Sequence, residues 1–314
     1  AKPAVSASAI SAAASGTAAK PAGSAAATSA AAGATSAGGT PASSQAQKGG
    51  YLRVDIPPAY SPTIMDPFKV TALVFFITGG GYSFYESLLE PDFTQYDWSA
   101  RKLVPMLATG YENPDHVTYN FTLRQGVKFH NGATLTADDV VYSYQRTNAP
   151  DALPSTASYA QQMKVIQAID AKTVSAVAKA ADVDFIQNFS GYYGVGSKVA
   201  IMPNGSAEAT DLTKTDVGTG PFKLQSLEVG SKLVGVRFDG YWQAGRPYLD
   251  GVSYGLTVAP AKESANFIAG ETDIIIRQDP LQLKAVQDGV PKAVVNQVYG
   301  SYLTVLALNA TRQP

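Results

Sequence analysis

The sharpest alternation of apolar and polar positions lies at Val117–Arg124. Val117, Tyr119, Phe121 and Leu123 take one set of positions, and Thr118, Asn120, Thr122 and Arg124 the other. A period of two predicts a half-buried strand. Gln125-Gly126 turns it, Val127–His130 predicts a second short extended piece, and Asn131-Gly132 is a strong turn signal. Thr136 then predicts a helix N-cap, with Asp138 and Asp139 in the first turn, where carboxylates favour the positive helix end. Val140, Val141 and Tyr144 make the apolar face of that helix.

The same reasoning places further strands at Tyr51–Ile56, Thr173–Val177, along Val234, Val236 and Phe238, along Val252, Tyr254, Leu256 and Val258, at Asp273–Ile276 and at Tyr302–Leu308. Helices are predicted from Tyr82 to Leu89, from Val183 to Phe189 and from Ala261 to Ala269, the last closed by Gly270 at C′. A final helix has Pro280 at its first position and ends at Gly289. Strands and helices interleave along the chain, so the class is mixed α/β.

Composition divides the chain in two. Residues 1–49 are almost all Ala, Ser, Gly, Thr and Pro, with Lys2, Lys20 and Lys48 as the only charges. Such a stretch buries too little apolar surface to offset its ordering entropy, so it is expected to be a disordered tether. It lacks the continuous apolar run of a signal peptide. Over all 314 residues 45% are apolar, enough for a sizeable core. The net charge of −1 gives no basic surface for nucleic acid. With no cysteine, disulfides, thiolate metal sites and cysteine nucleophiles drop out together.

Little in the chain suggests catalysis. Gly79-Gly80-Gly81 is not a phosphate cradle, because neither a Lys-Ser/Thr pair nor a G-x-G-x-x-G pattern accompanies it. His130 and His116 are the only histidines, and a lone His beside a turn is expected to be structural. Helix-start electrostatics account for Asp138-Asp139. The serines sit in no G-x-S-x-G. Of the 17 tyrosines, Tyr82, Tyr192, Tyr193, Tyr299 and Tyr302 stand beside glycines or at element ends, where a ring with a hydroxyl suits a small-ligand cleft. Asn120, Asn188, Asn204 and Asn309 begin N-x-S/T triplets, and none is taken as a glycan site.

Four blocks carry a family resemblance. They are Thr118–Gly132 followed by Leu135–Ser143, then Val217-Gly-Thr-Gly-Pro-Phe-Lys-Leu224, then Tyr241-Trp242 with Gly245–Asp250, and last Gly270-Glu-Thr-Asp273. In this order they resemble the family 5 extracellular solute-binding proteins, the oligopeptide-, dipeptide- and nickel-binding components of ABC importers. The resemblance implies a periplasmic-binding-protein-like type II lobe, a mixed sheet with flanking helices and an inserted α/β subdomain. The main lobe would comprise 50–88 and 205–309, the insert 89–204, and 310–314 the start of a crossover to a second lobe expected to be absent from this chain. It implies an extracytoplasmic monomer, tethered through a lipidated N-terminus, that closes on a peptide or similar small solute and hands it to a membrane permease without catalysis or cofactor. Gly79, Gly80, Gly81, Tyr82 and Ser83 would face the ligand after the first strand, and Ser301 and Tyr302 would do so at the hinge. Trp242 would fill the lobe core. Rival readings are a non-transport sensor or scaffold and a secreted glycan hydrolase. The hydrolase would need two facing carboxylates, for which Asp92, Asp97, Asp184 and Glu228 are available.

Overall fold

The computed structural model describes residues 48–56, 61–69, 83–91, 102–152, 161–190, 199–256, 258–275 and 280–295. In chain order the first strands are β1 (Tyr51–Asp55), β2 (Leu89–Pro91), β3 (Leu103–Pro105), β4 (Ala108–Glu112) and β5 (Thr118–Leu123). Helix α1 (Ala137–Arg146) leads to β6 (Met163–Asp170) and β7 (Thr173–Ala178). The short α2 (Ser206–Ala209) precedes β8 (Phe222–Glu228), β9 (Lys232–Arg237) and β10 (Gly251–Gly255). Helix α3 (Pro260–Ile268), β11 (Ile274–Ile275) and α4 (Pro280–Gly289) follow.

Two principal sheets form among the described residues. One has the order β11-β1-β10-β9-β8, with β1 parallel to both its neighbours and β9 and β8 added antiparallel. The other is the antiparallel β4-β5-β7-β6. Every strand of the first comes from residues 51–55 and 222–275, and every strand of the second from 108–178. β2 and β3 form a separate pair.

The period-two strand at 117–124 is β5, with Tyr119, Phe121 and Leu123 buried and Thr122 exposed. Its rings meet Phe185 and Phe189, with centroids 5.4 Å apart for Tyr119–Phe185 and 4.5 Å for Phe121–Phe189. Helix α1 begins as its sequence predicts: the Thr136 N–H and hydroxyl both donate to Asp139 Oδ2, at 2.7 and 2.9 Å. Its apolar face centres on Ala137, Val140 and Tyr144, with Val141 half-buried.

Four elements differ from expectation. Of the helix expected over Tyr82–Leu89, Tyr82 lies outside the described residues and Phe84–Leu89 is not helical; the chain is irregular to Leu88 and extended from Leu89. A surface helix needs a polar face, and here Phe84, Tyr85, Leu88 and Leu89 are all buried. The carbonyls of Phe84, Glu86, Ser87 and Leu88 accept from Gly220, Ile201, Leu107 and Met106 rather than from the next turn. Val127–His130 makes one bridge, Lys128 to Thr134, and no strand. Val183–Phe189 is a 3-10 turn over Phe185–Phe189. In β9 the fully buried row is Leu233 and Gly235, not Val234 and Val236, since the glycine hides the alternation. The expected tether up to Gln47 and the strand Tyr302–Leu308 lie outside the described residues.

Candidate functional site

The parallel strands β11, β1 and β10 end together: Asp55 is in register with both Ile275 and Gly255. Open α/β sheets hold ligands beyond the carboxyl ends of parallel strands. On one face of the sheet Val54, Leu233, Gly235, Val252 and Tyr254 are buried side by side. The Ser83–Phe84 segment crosses this face. The Phe84 ring lies over Gly235, where an added Cβ would stand 2.9 Å from Phe84 Cε1. At the carboxyl end of β10, Ser83 Oγ and Tyr254 Oη share a 2.9 Å hydrogen bond. On the opposite face Asn266 Nδ2 of α3 donates to Asp55 Oδ2 at 2.7 Å. There Arg53 pairs with Asp273 at 2.6 Å, which lowers the Asp273 carboxyl below its ordinary range.

The Val217–Phe222 block locks the same segment from behind. The Gly220 N–H donates to the Phe84 carbonyl at 2.9 Å. A Cβ on Gly220 would lie 2.6 Å from the Phe84 carbonyl carbon and 2.7 Å from Ser83 O, and one on Gly218 would meet Phe84 O. The two glycines are therefore what lets backbone touch backbone. Between them, Thr219 Oγ1 donates to Glu86 Oε2 at 3.0 Å. Trp242 Nε1 also donates to Glu86 Oε2, at 2.9 Å, and Tyr241 Oη to Oε1 at 2.7 Å. All three donors are neutral. Burial dominates over them and lifts the Glu86 carboxyl to about 7. Trp242 is half-buried and bridges Glu86 to Arg124, whose guanidinium stacks 4.2 Å from the ring centroid.

His130 is structural in its contacts. Nδ1 faces Asp216 Oδ2 in a short contact, and Nε2–H donates to the Gly220 carbonyl at 2.9 Å. Asp216 Oδ1 accepts from the Leu224 N–H at 2.7 Å. Asp138 is exposed, while Asp139 also accepts from the Asn204 N–H at 2.8 Å, so neither belongs to an open carboxylate pair.

Of the residues expected at the ligand, Ser83 is described and meets the sheet at the carboxyl end of β10. Gly79, Gly80, Gly81, Tyr82, Ser301 and Tyr302 lie outside the described residues. Sequence reasoning missed Tyr254 as more than a core position, and missed Glu86, Thr219 and Asp216 altogether. The one available signal was the Gly-Thr-Gly block. For the hydrolase reading, Asp92 and Asp97 lie outside the described residues. Asp184 and Glu228 are exposed on separate elements, one before a 3-10 turn and one ending β8. Among the described residues no cluster of His, Cys, Asp or Glu is arranged to hold a metal ion, and no helix is long and apolar enough to cross a membrane.

Residues 102–314 match the family described as Bacterial extracellular solute-binding proteins, family 5 Middle. The chain belongs to this family. Among relatives, the di/tripeptide-binding protein 1 of Pseudomonas aeruginosa (strain UCBPP-PA14) is 26% identical over 279 residues, covering 81% of this chain and 50% of that protein. The solved oligopeptide-binding protein AppA of Bacillus subtilis, in complex with a nonapeptide, aligns at TM-score 0.64 and 25% identity over 78% of this chain and 47% of that one. The binding protein MoaA of A. tumefaciens R10, in complex with mannopinic acid, aligns at TM-score 0.68 and 24% identity over 81% and 50%. The family 5 chain thus has the mixed α/β architecture of a periplasmic-binding-protein lobe of type II, and spans about half the length of the curated relatives it matches.

Proposed function

We propose that this family 5 chain supplies one wall of the cleft of an extracytoplasmic solute-binding protein, which captures a peptide or similar small solute and delivers it to an ABC permease. The observation that carries this reading is the set of parallel strand ends, β11, β1 and β10, in a chain whose residues 102–314 match the family. The cleft wall comprises Gly79–Ser83, with Ser301 and Tyr302 at the hinge. The main lobe comprises 50–88 and 205–309 and the insert 89–204, a division favoured by the separate membership of the two sheets. The Ala/Ser/Gly-rich stretch 1–49 spaces this lobe from a lipidated membrane anchor. The protein acts as a monomer, binding and releasing its solute unchanged. It needs no catalytic group, because closure around the solute is the signal that the permease reads.

Calorimetric titration of the complete gene product with a mixed pool of di- and tripeptides tests the proposal. Saturable heat with the peptides recovered intact is expected. Hydrolysis of a peptide, glycan or ester at the bound site overturns it, and no heat with any member of the pool overturns a di- or tripeptide as the solute.

A further inference from the structure

Tyr254 carries a hydroxyl that the core of a sheet does not need. It is the penultimate residue of β10, only 7% exposed, on the face it shares with Val54 and Val252. Phenylalanine would fill the same space. The hydroxyl instead reaches Ser83 Oγ at 2.9 Å, across 171 residues of sequence. Burial raises the Tyr254 phenol above its ordinary range, so it is neutral and serves as a hydrogen-bonding group rather than a charge.

The partner is the informative half. Ser83 is half-buried, whereas Phe84, Tyr85 and Glu86 after it are sealed in the core. Within Ser83–Leu89 it is thus the one residue that keeps part of its surface exposed. Its neighbour is fixed independently: the Phe84 carbonyl takes the Gly220 N–H at 2.9 Å, and the Phe84 ring is seated over Gly235. Those contacts fix the backbone of Phe84 but leave the Ser83 side chain free to choose a rotamer. The hydrogen bond to Tyr254 removes that freedom.

We infer that Tyr254 is a positioning residue of the ligand site, its hydroxyl holding the Ser83 side chain in one orientation at the carboxyl end of the parallel strands. The inference rests on the solute-binding reading and adds to it a residue that does not touch solute. Preorganised groups bind more tightly because the ordering is done before the ligand arrives.

The test is a double-mutant cycle in the complete gene product, Tyr254→Phe and Ser83→Ala, read by calorimetry with the di- and tripeptide pool and by thermal melting. Tyr254→Phe keeps the ring, so its melting temperature should fall by no more than about 4 °C. Its Kd should rise about threefold to tenfold, the worth of one net hydrogen bond. In the Ser83→Ala background the same change should leave Kd where it was. A purely structural tyrosine would shift the melt and not the affinity. The positioning role is overturned if Tyr254→Phe binds like the unaltered protein, or if it weakens binding equally with and without the Ser83 hydroxyl. If the unaltered protein binds no peptide of the pool, a di- or tripeptide as the solute fails first and the positioning role for such a ligand falls with it.

Discussion

Glu86 sits where water does not reach, and three neutral donors hold its oxygens. Its carboxyl is lifted from 4.5 to about 7 because burial penalises the anion more than the donors stabilise it. Between those two values the native state keeps a proton that the unfolded chain has released. Native stability therefore falls as pH rises through this window, by about 3 kcal/mol from this group in total. Glu86→Gln removes the titration. Its carbonyl can accept from Trp242 and Thr219, and its amide can donate to Tyr241 Oη. The variant should match the unaltered protein near pH 4 and exceed it in stability near pH 8, as urea midpoints at the two pH values will show. A constant difference at both would mean that Glu86 does not titrate. Gly220 makes a second prediction at this scale. Gly220→Ala forces a methyl against the Ser83–Phe84 backbone and should cost about 1–3 kcal/mol. Gly110→Ala on β4, where nothing lies within 4 Å of the added carbon, should change the melt little. A thermal melt of the pair checks both.

Between elements, the joints are polar and join segments far apart in sequence. His130, in the turn after β5, accepts no strand partner; it is fixed instead by Asp216 and the Gly220 carbonyl ahead of β8. Asp216 is almost fully buried, at 4% exposure. Removing His130 with Ala leaves Asp216 Oδ2 without its ring partner, a change worth about 1–3 kcal/mol for a buried polar group that loses one side of its hydrogen bond. Asp216→Ala combined with His130→Ala should cost less than the two single changes added together, because both single changes remove the same contact. Denaturant unfolding of the three variants measures this, and strict additivity would show that the pair is not coupled. This joint was half legible in the sequence. The His-Asn-Gly turn and the Val-Gly-Thr-Gly block were both visible, but nothing in either announces its partner 86 residues away. The same limit hid the Ser83–Tyr254 hydroxyl pair. Elements fared according to how strongly one face is buried. β5, with three buried apolar residues in alternation, was plain. β6 was not, because an edge strand with only Met163 buried has no pattern to show. The helix expected over Tyr82–Leu89 fails over its described part because the carbonyls of Phe84, Glu86, Ser87 and Leu88 find tertiary partners.

The parallel part of the sheet is centred on β1. β1 lies between β11 and β10, and Tyr51 pairs with Gly251, two hundred positions on. Such non-local parallel pairing pays its loop-closure entropy before any contact rewards it. It also concentrates the sheet's integrity in five residues. Without β1, β11 has no strand neighbour, since β1 is its sole partner among the described residues. Asp273 loses Arg53, and Asp250 loses the Gly50 N–H that its carboxylate accepts at 2.8 Å. The antiparallel sheet β4-β5-β7-β6 loses no strand, because all its members lie between residues 108 and 178. A chain begun at Ile56 should therefore lose protection unevenly. Amides of β11, and those of β10 that bond to β1 rather than to β9, should exchange freely, while those of β5 and β7 keep slow exchange, and the near-ultraviolet dichroism melt should lose its single cooperative step. A chain begun at Lys48 retains β1 with the Gly49 and Gly50 contacts to Tyr248 and Asp250, and should melt cooperatively. Hydrogen exchange read strand by strand on the two chains decides the matter. Equal protection of β10 in both would mean that β1 does not hold the parallel ends together, and the cleft wall would then need another support.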